Sequence, residues 1–215
     1  MSRILVDQVR SNSASGDAIT LDGSGKCAIN ATTINSLTFP TSDGSADQII
    51  KTDGSGALSF TTAPSGLNAS YARITDTKGG ATQGGTFSSG AWRTRDLNTE
   101  DEDPDGIVTL SSNQFTLQAG TYYIQAQCCA IQCNNHGARI QNITDSTTTL
   151  LGNANKTQQN NVSSYAHIQG SFTISGAKVF ELQHRCSTTV TTHGFGAYSG
   201  WASNVYSTVE ITKRS

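Results

Sequence analysis

From Tyr122 to Cys133 the side chains alternate with a period of two, the repeat of a pleated strand. One face carries Tyr122, Ile124, Ala126, Cys128 and Ala130, apolar throughout, and belongs in a core. The other carries Tyr123, Gln125, Gln127, Cys129 and Ile131. An aromatic, two amides, a thiol and an isoleucine are too apolar for open water and too polar for a sealed core. Such a mixture suits a contact between copies of the chain, where amides can bond their own copies across a symmetry axis. A solvent face with a stray Tyr and Ile is the competing reading. The same alternation over 179–184 sends Phe180, Leu182 and His184 inward, Glu181 and Gln183 outward.

Further strands are predicted at 114–117, 138–143, 165–174, 179–186 and 205–211, with Gly, Asn, Asp and Ser clusters between them. Many short strands with no helical stretch between them predict a sandwich or jelly roll over residues 67–215. Residues 1–66 differ. Their alternating runs (18–21, 27–30, 34–39, 48–52) carry two or three apolar residues each. Three turn signals punctuate them: Asp22-Gly23-Ser24-Gly25, Asp43-Gly44-Ser45-Ala46 and Asp53-Gly54-Ser55-Gly56. One such segment cannot stabilise itself in water. Copies arranged around an axis would bury those residues against one another, as in a fibrous stem; a disordered tail is the rival reading.

Composition narrows the class. Of 215 residues, 35% are hydrophobic and 14% charged, so the core is thin and stability must lean on backbone pairing and shared surface. Helix formers are scarce and Thr abundant, which favours an all-β chain. A net charge of −2 without a basic patch argues against nucleic acid. Met1 to Val9 lacks the apolar run of a signal peptide or membrane span, which predicts synthesis in a cytoplasm and no membrane insertion. Five cysteines (Cys27, Cys128, Cys129, Cys133, Cys186) make an odd count, read as free thiols filling small apolar spaces.

The run Phe115-Thr116-Leu117-Gln118-Ala119-Gly120-Thr121-Tyr122-Tyr123-Ile124 resembles the strand–turn–strand signature of jelly rolls related to complement C1q and tumour necrosis factor. The resemblance implies a compact trimer whose strand after the Gly-x-Tyr element lines the three-fold axis. That makes Tyr123, Gln125 and Gln127 axial, with Cys129 on the same face. Several further runs are similar to C-terminal modules of phage and prophage virion proteins: 95–99, 138–145, 180–186, 194–196 and 205–211. Leu37-Thr38-Phe39-Pro40 with Lys51-Thr52-Asp53-Gly54-Ser55-Gly56 is similar to a segment of phage tail-fibre proteins. Ser2-Arg3-Ile4-Leu5-Val6-Asp7 is similar to the openings of marine-phage fibre proteins, which implies that Ile4, Leu5, Val6 and Val9 anchor the chain to a particle. A collagen-like stalk is missing, which sets the chain apart from secreted animal members.

Candidate chemistry is sparse. Cys128, Cys129, Cys133 and His136 invite a zinc reading, but adjacent cysteines on a strand face opposite ways, and Cys129 and Cys133 on an extended strand lie roughly 13 Å apart. The acidic run 100–106 invites calcium but lacks the spacing of an EF-hand loop, and a solvated loop is the plainer reading. His136, His167, His184 and His193 sit in no recognisable hydrolase context. The stretch 193–201 reads as a flexible aromatic loop whose His193, Phe195, Tyr198 and Trp201 would touch a host surface glycan or protein, or else pack on the sandwich.

The expectation is an all-β homotrimer: an extended N-terminal β stem and anchor (1–66), then an antiparallel jelly-roll head (67–215). It is expected to be a non-enzymatic virion protein without cofactor or metal, made in a host bacterial cytoplasm and bound to other virion proteins through its N-terminus. A short attachment fibre leads; a capsid head fibre or decoration protein is the alternative, and a metal-dependent hydrolase the third.

Overall fold

The computed structural model of the chain describes residues 36–63, 69–158 and 162–214, and the backbone of short strands at 8–9, 19–21, 27–29 and 33–34. It divides into two compact units, Met1–Pro64 and Ser65–Ser215. The described residues are all-β, and none of their elements is a helix long and apolar enough to cross a membrane.

The first unit is a run of small antiparallel pairings. Strands β1 (Gln8–Val9), β2 (Ile19–Leu21) and β3 (Cys27–Ile29) form one sheet; β4 (Thr33–Ile34) pairs with β5 (Leu37–Thr38), and β6 (Gln48–Thr52) with β7 (Leu58–Thr62). Asp22 to Gly25 separates two paired strands, as does Asp53 to Gly56. In the second turn Asp53 Oδ1 accepts from the backbone N–H of Ser55 at 2.7 Å and of Ala57 at 3.0 Å, while Gly54 and Gly56 take positive φ. These backbone bonds hold the Asp53 carboxyl below its ordinary pKa. Asp43 to Ala46 leads into β6 without joining two paired strands. The pairings bury little: Ile50 is 53% exposed, and Ile49, Leu37 and Phe39 are also exposed.

The second unit is a two-layer sandwich. One sheet runs β10 (Thr99–Glu102), β8 (Ser70–Lys78), β19 (Asn204–Lys213), β13 (Gly120–Ile131), β17 (Ser163–Ile174). The other runs β11 (Val108–Ser111), β12 (Gln114–Leu117), β18 (Lys178–Cys186), β14 (Asn134–Asn142), β15 (Thr147–Leu151); β16 (Asn155–Thr157) also pairs β14, and β9 (Arg93–Thr94) pairs β18. All named pairs in this unit are antiparallel, the chain repeatedly changes sheet, and its last strand lies between β8 and β13. That order is a jelly roll.

The inward alternation of β13 supplies the core. Tyr122, Ile124, Ala126, Cys128 and Ala130 are buried, the first four in one core with Phe115, Leu117, Ile140, Phe180 and Leu182 of the other sheet. The Phe115 and Phe180 rings stack at 5.6 Å, and the Tyr122 hydroxyl donates to Gln118 O at 3.0 Å, pinning the corner. The turn at 118–119 closes no hairpin, since β12 and β13 lie in different sheets. Nor does β13 reach Cys133. It ends at Ile131, and the chain crosses to the other sheet through Gln132 and Cys133, with positive φ at Gln132 and Asn134. The extended-strand distance between Cys129 and Cys133 therefore does not apply.

Candidate interaction surface

The strand registers of the five-stranded sheet place its outward side chains in rows. Arg73, Glu210, Gln125 and Gln169 make one row; Thr75, Thr208, Gln127 and His167 make the next, in which Thr75 and Thr208 are buried. Gln125, Gln127, His167, Gln169, Thr208 and Glu210 line a shallow cavity of about 240 Å³. Gln125 and Gln127 are exposed, and Tyr123 is half-buried with the Arg214 guanidinium 5.0 Å from its ring centre. Exposed Tyr165 and Val205 continue the face. Donors and acceptors here far outnumber formal charges, so the face can meet a copy of itself without stacking like charges. Arg73, its cationic member, is paired with Asp101.

Cys129 departs from the expectation. It shares the outward alternation but is only 5% exposed, opposite Tyr165 on the neighbouring strand, with Arg95 Nη1 donating to its carbonyl at 3.2 Å. The single chain already covers it, so Tyr123, Gln125 and Gln127 carry the outward stripe alone. Ile131 is buried in the same way.

The 193–201 stretch also divides. Phe195 lies 4.5 Å from Phe87 between ring centres, and the Arg95 guanidinium sits 4.0 Å from the centre of its ring. With Phe87, Ala130, Cys133 and Cys186 it builds a second small core. His193 Nε2 is 3.3 Å from Gln132 Oε1. The glycines serve close approach here rather than mobility: a Cβ on Gly196 would come within 2.2 Å of the Tyr206 ring, and one on Gly194 within 2.6 Å of Val190 O. Backbone bonds from Gly84 N to Gly196 O and from Ile131 N to Gly194 O pin the segment. The flexible-loop expectation is corrected for 193–196, and Phe195 is an internal clasp. Tyr198 and Trp201 remain at the surface, 48% and 89% exposed. Ile4, Leu5 and Val6 lie outside the described residues, and of Val9 only the backbone in β1 is described.

Two buried polar features escaped the sequence reading. Arg95 is fully buried: Nε donates to Ser207 Oγ at 2.8 Å, and Nη2 to Tyr206 O at 3.0 Å and Phe195 O at 3.1 Å. Among the described residues no carboxylate forms an ion pair with it. Carbonyls from three segments instead satisfy one guanidinium fork. Beside it runs a buried row: Ser164 Oγ is 2.6 Å from His136 Nε2, His136 Nδ1 is 2.9 Å from His184 Nε2, and His184 Nδ1 is 3.3 Å from Cys128 Sγ. Burial and then the charge of Arg95 push His136 down to about 4 and His184 well below its ordinary value. The row has the outline of a nucleophile and base, yet a base so weak accepts a serine proton poorly at neutral pH. Burial pushes the Cys128 and Cys133 thiols up to about 12, so they behave as apolar fillers.

Among the described residues no cluster of three or more His, Cys, Asp or Glu side chains is arranged to hold a metal ion. In the acidic run, Asp103 accepts from Ile107 N at 2.8 Å and Val108 N at 2.9 Å, closing its own turn. No family model and no curated protein matches the chain. Among solved structures, murine APRIL at pH 8.5 aligns at 6% identity and TM-score 0.41, over 68% of this chain and 99% of that one. The globular domain of zebrafish complement 1qA aligns at 14% identity and TM-score 0.40, over 67% and 94%. The jelly-roll assignment rests on the strand order itself.

Proposed function

We propose that the chain is a non-enzymatic structural protein that works as a homotrimer on a phage-type virus particle, its N-terminal region docked and its jelly-roll head facing outward. The observation that carries self-association is the exposure of Leu37, Phe39, Ile49 and Ile50 on hairpins too small to be stable alone. Identical copies offer the same stripe in the same register, so each can cover the others. The polar outer face of the five-stranded sheet supports the same reading, with Gln125 and Gln127 in position to bond across an axis. Three copies, rather than two, and the virion setting follow from the sequence resemblances.

The leading role is a short attachment fibre, with Tyr198 and Trp201 as exposed contact residues. Decoration of a capsid shell stays close behind for a specific reason. Residues 1–66 span at most about 200 Å when fully extended, and the antiparallel pairing of β6 with β7 folds part of that length back on itself.

Sedimentation equilibrium of the full chain tests the assembly. The expected mass is three chains, falling to one when both Gln125 and Gln127 become Arg; a wild-type monomer at micromolar concentration sinks the proposal. A reconstruction of the particle locates residues 1–10 among tail or shell proteins, and separates fibre from decoration.

A further inference from the structure

The outer face of the seven-stranded sheet, on the far side of the sandwich from the self-association face, holds a cavity of about 800 Å³. It opens where β15 gives way to β16 as the neighbour of β14. The hollow has a simple cause. Asn135, Gly137 and Arg139 are successive outward positions of β14, and the middle one has no side chain. A Cβ on Gly137 would meet only Asn153 O at 3.7 Å and Ala154 Cα at 3.9 Å, ordinary contact distances.

The walls share one character. Arg185 stands opposite Gly137 on β18, Lys156 opposite Asn135 on β16, and Trp92, Asn155, Ser89 and Ser187 are among the other lining residues. No Asp or Glu lines the cavity. Arg73, Lys78 and Lys178 each pair with a carboxylate, whereas the side chains of Arg185 and Lys156 form no ion pair or hydrogen bond among the described residues. Glu181, four residues along β18 and roughly 13 Å away, already accepts from Thr94, Gln114 and Gln183. A chain of net charge −2 thus keeps two uncommitted cations over a concave floor beside an indole.

We propose that this cavity binds an acidic saccharide, a sugar ring bearing a carboxylate or sulfate. The Arg185 fork matches a planar carboxylate or a sulfate edge, with Lys156 as a second point charge. The Arg139 guanidinium sits 4.3 Å over the Trp92 ring, so only the ring surface that Arg139 leaves uncovered is offered to the apolar face of a sugar. Asn135 and Asn155 supply amides for hydroxyl groups. The floor at Gly137 admits the ring. The inference stands apart from trimer assembly, because it uses neither the five-stranded sheet nor the first unit.

Calorimetric titration of the full chain with galacturonate trimer, sialyllactose, a sulfated disaccharide and their neutral counterparts tests it. Saturable binding of at least one acidic sugar is expected, weakened by salt and lost with the matched neutral sugar; the carboxylated and sulfated arms tell the two anions apart. Arg185→Gln should lower affinity at least about tenfold. Gly137→Val, which fills the floor without backbone strain and suits a strand, should abolish binding with the melting temperature unchanged or raised. Trp201→Ala should bind like the wild type. No binding by any acidic sugar, binding that survives both Arg185→Gln and Gly137→Val, or binding lost in Trp201→Ala overturns the assignment.

Discussion

The two units solve the same problem in opposite ways. The head wraps two sheets around Phe115, Tyr122, Ile124, Phe180 and Leu182 and satisfies even a buried guanidinium from within. The hairpins of the first unit pair their backbones but leave Ile49, Ile50, Leu37 and Phe39 at the surface. Backbone pairing alone does not offset the entropy of ordering a short chain; apolar burial does. A unit that forms strands without burying them needs apolar burial from elsewhere, and the proposed trimer would supply it.

The sharpest way to break this contrast is to separate the units. Residues 65–215 should melt cooperatively by circular dichroism, while residues 1–64 should show no cooperative transition; a cooperative monomeric melt of the short piece would remove the argument for shared burial. Next comes Arg95→Ala. It strips donors from the Tyr206, Phe195 and Cys129 carbonyls and opens a void beside Phe195. Leaving three carbonyls without these donors, together with the void, costs roughly 3–5 kcal/mol, or a fall of about 10 °C or more in a domain of this size, read by calorimetry.

Acid should reach the units at different pH. Unfolded histidine takes a proton near pH 6.5, but folded His136 resists until about 4. Between those values the unfolded chain binds the extra proton, so head stability falls as pH drops. For His136 the loss is on the order of 3 kcal/mol by pH 4, and His184 adds to it. The groups facing the pair are Ser164 on β17, Cys128 on β13 and Arg95; one protonated ring can still donate to the other, but two set N–H against N–H. The first unit has no histidine, and Asp53, held low by backbone donors, loses its contribution only below its ordinary range. Urea titrations from pH 7 to 4 should show the slope in the head, flattened in His136→Gln. The smallest effect is Ile50→Asp: head stability should move by no more than about 0.5 kcal/mol, while the mass of the full chain drops.

The alternation of Tyr122 to Ala130 announced a core strand, and the structure buries those five side chains. Period two is a property of the local backbone, so it survives without knowledge of partners. Cys129 lies away from its expected axial place, and for Phe195 the structure selects packing on the sandwich over an outward contact. Their neighbours Tyr165, Phe87 and Arg95 are distant in sequence, and no local pattern brings them near. The candidate cavity was equally silent. Gly137 in a strand run says nothing of Arg185 or Lys156 until β14, β16 and β18 are in register.

By itself the sequence determined several of the extended segments, though not β8, which face of β13 is apolar, and that the first sixty-odd residues carry too few apolar side chains to bury alone. These follow from residue type and spacing. Only the tertiary structure decided that Arg95 and His136 are interior and that His136 meets His184, that glycines 194 and 196 are packed, and that Arg185 and Lys156 face one hollow. Burial depends on distant segments and on two sheets closing over one another, and the hollow on the register of β14, β16 and β18; neither is a property of a local segment.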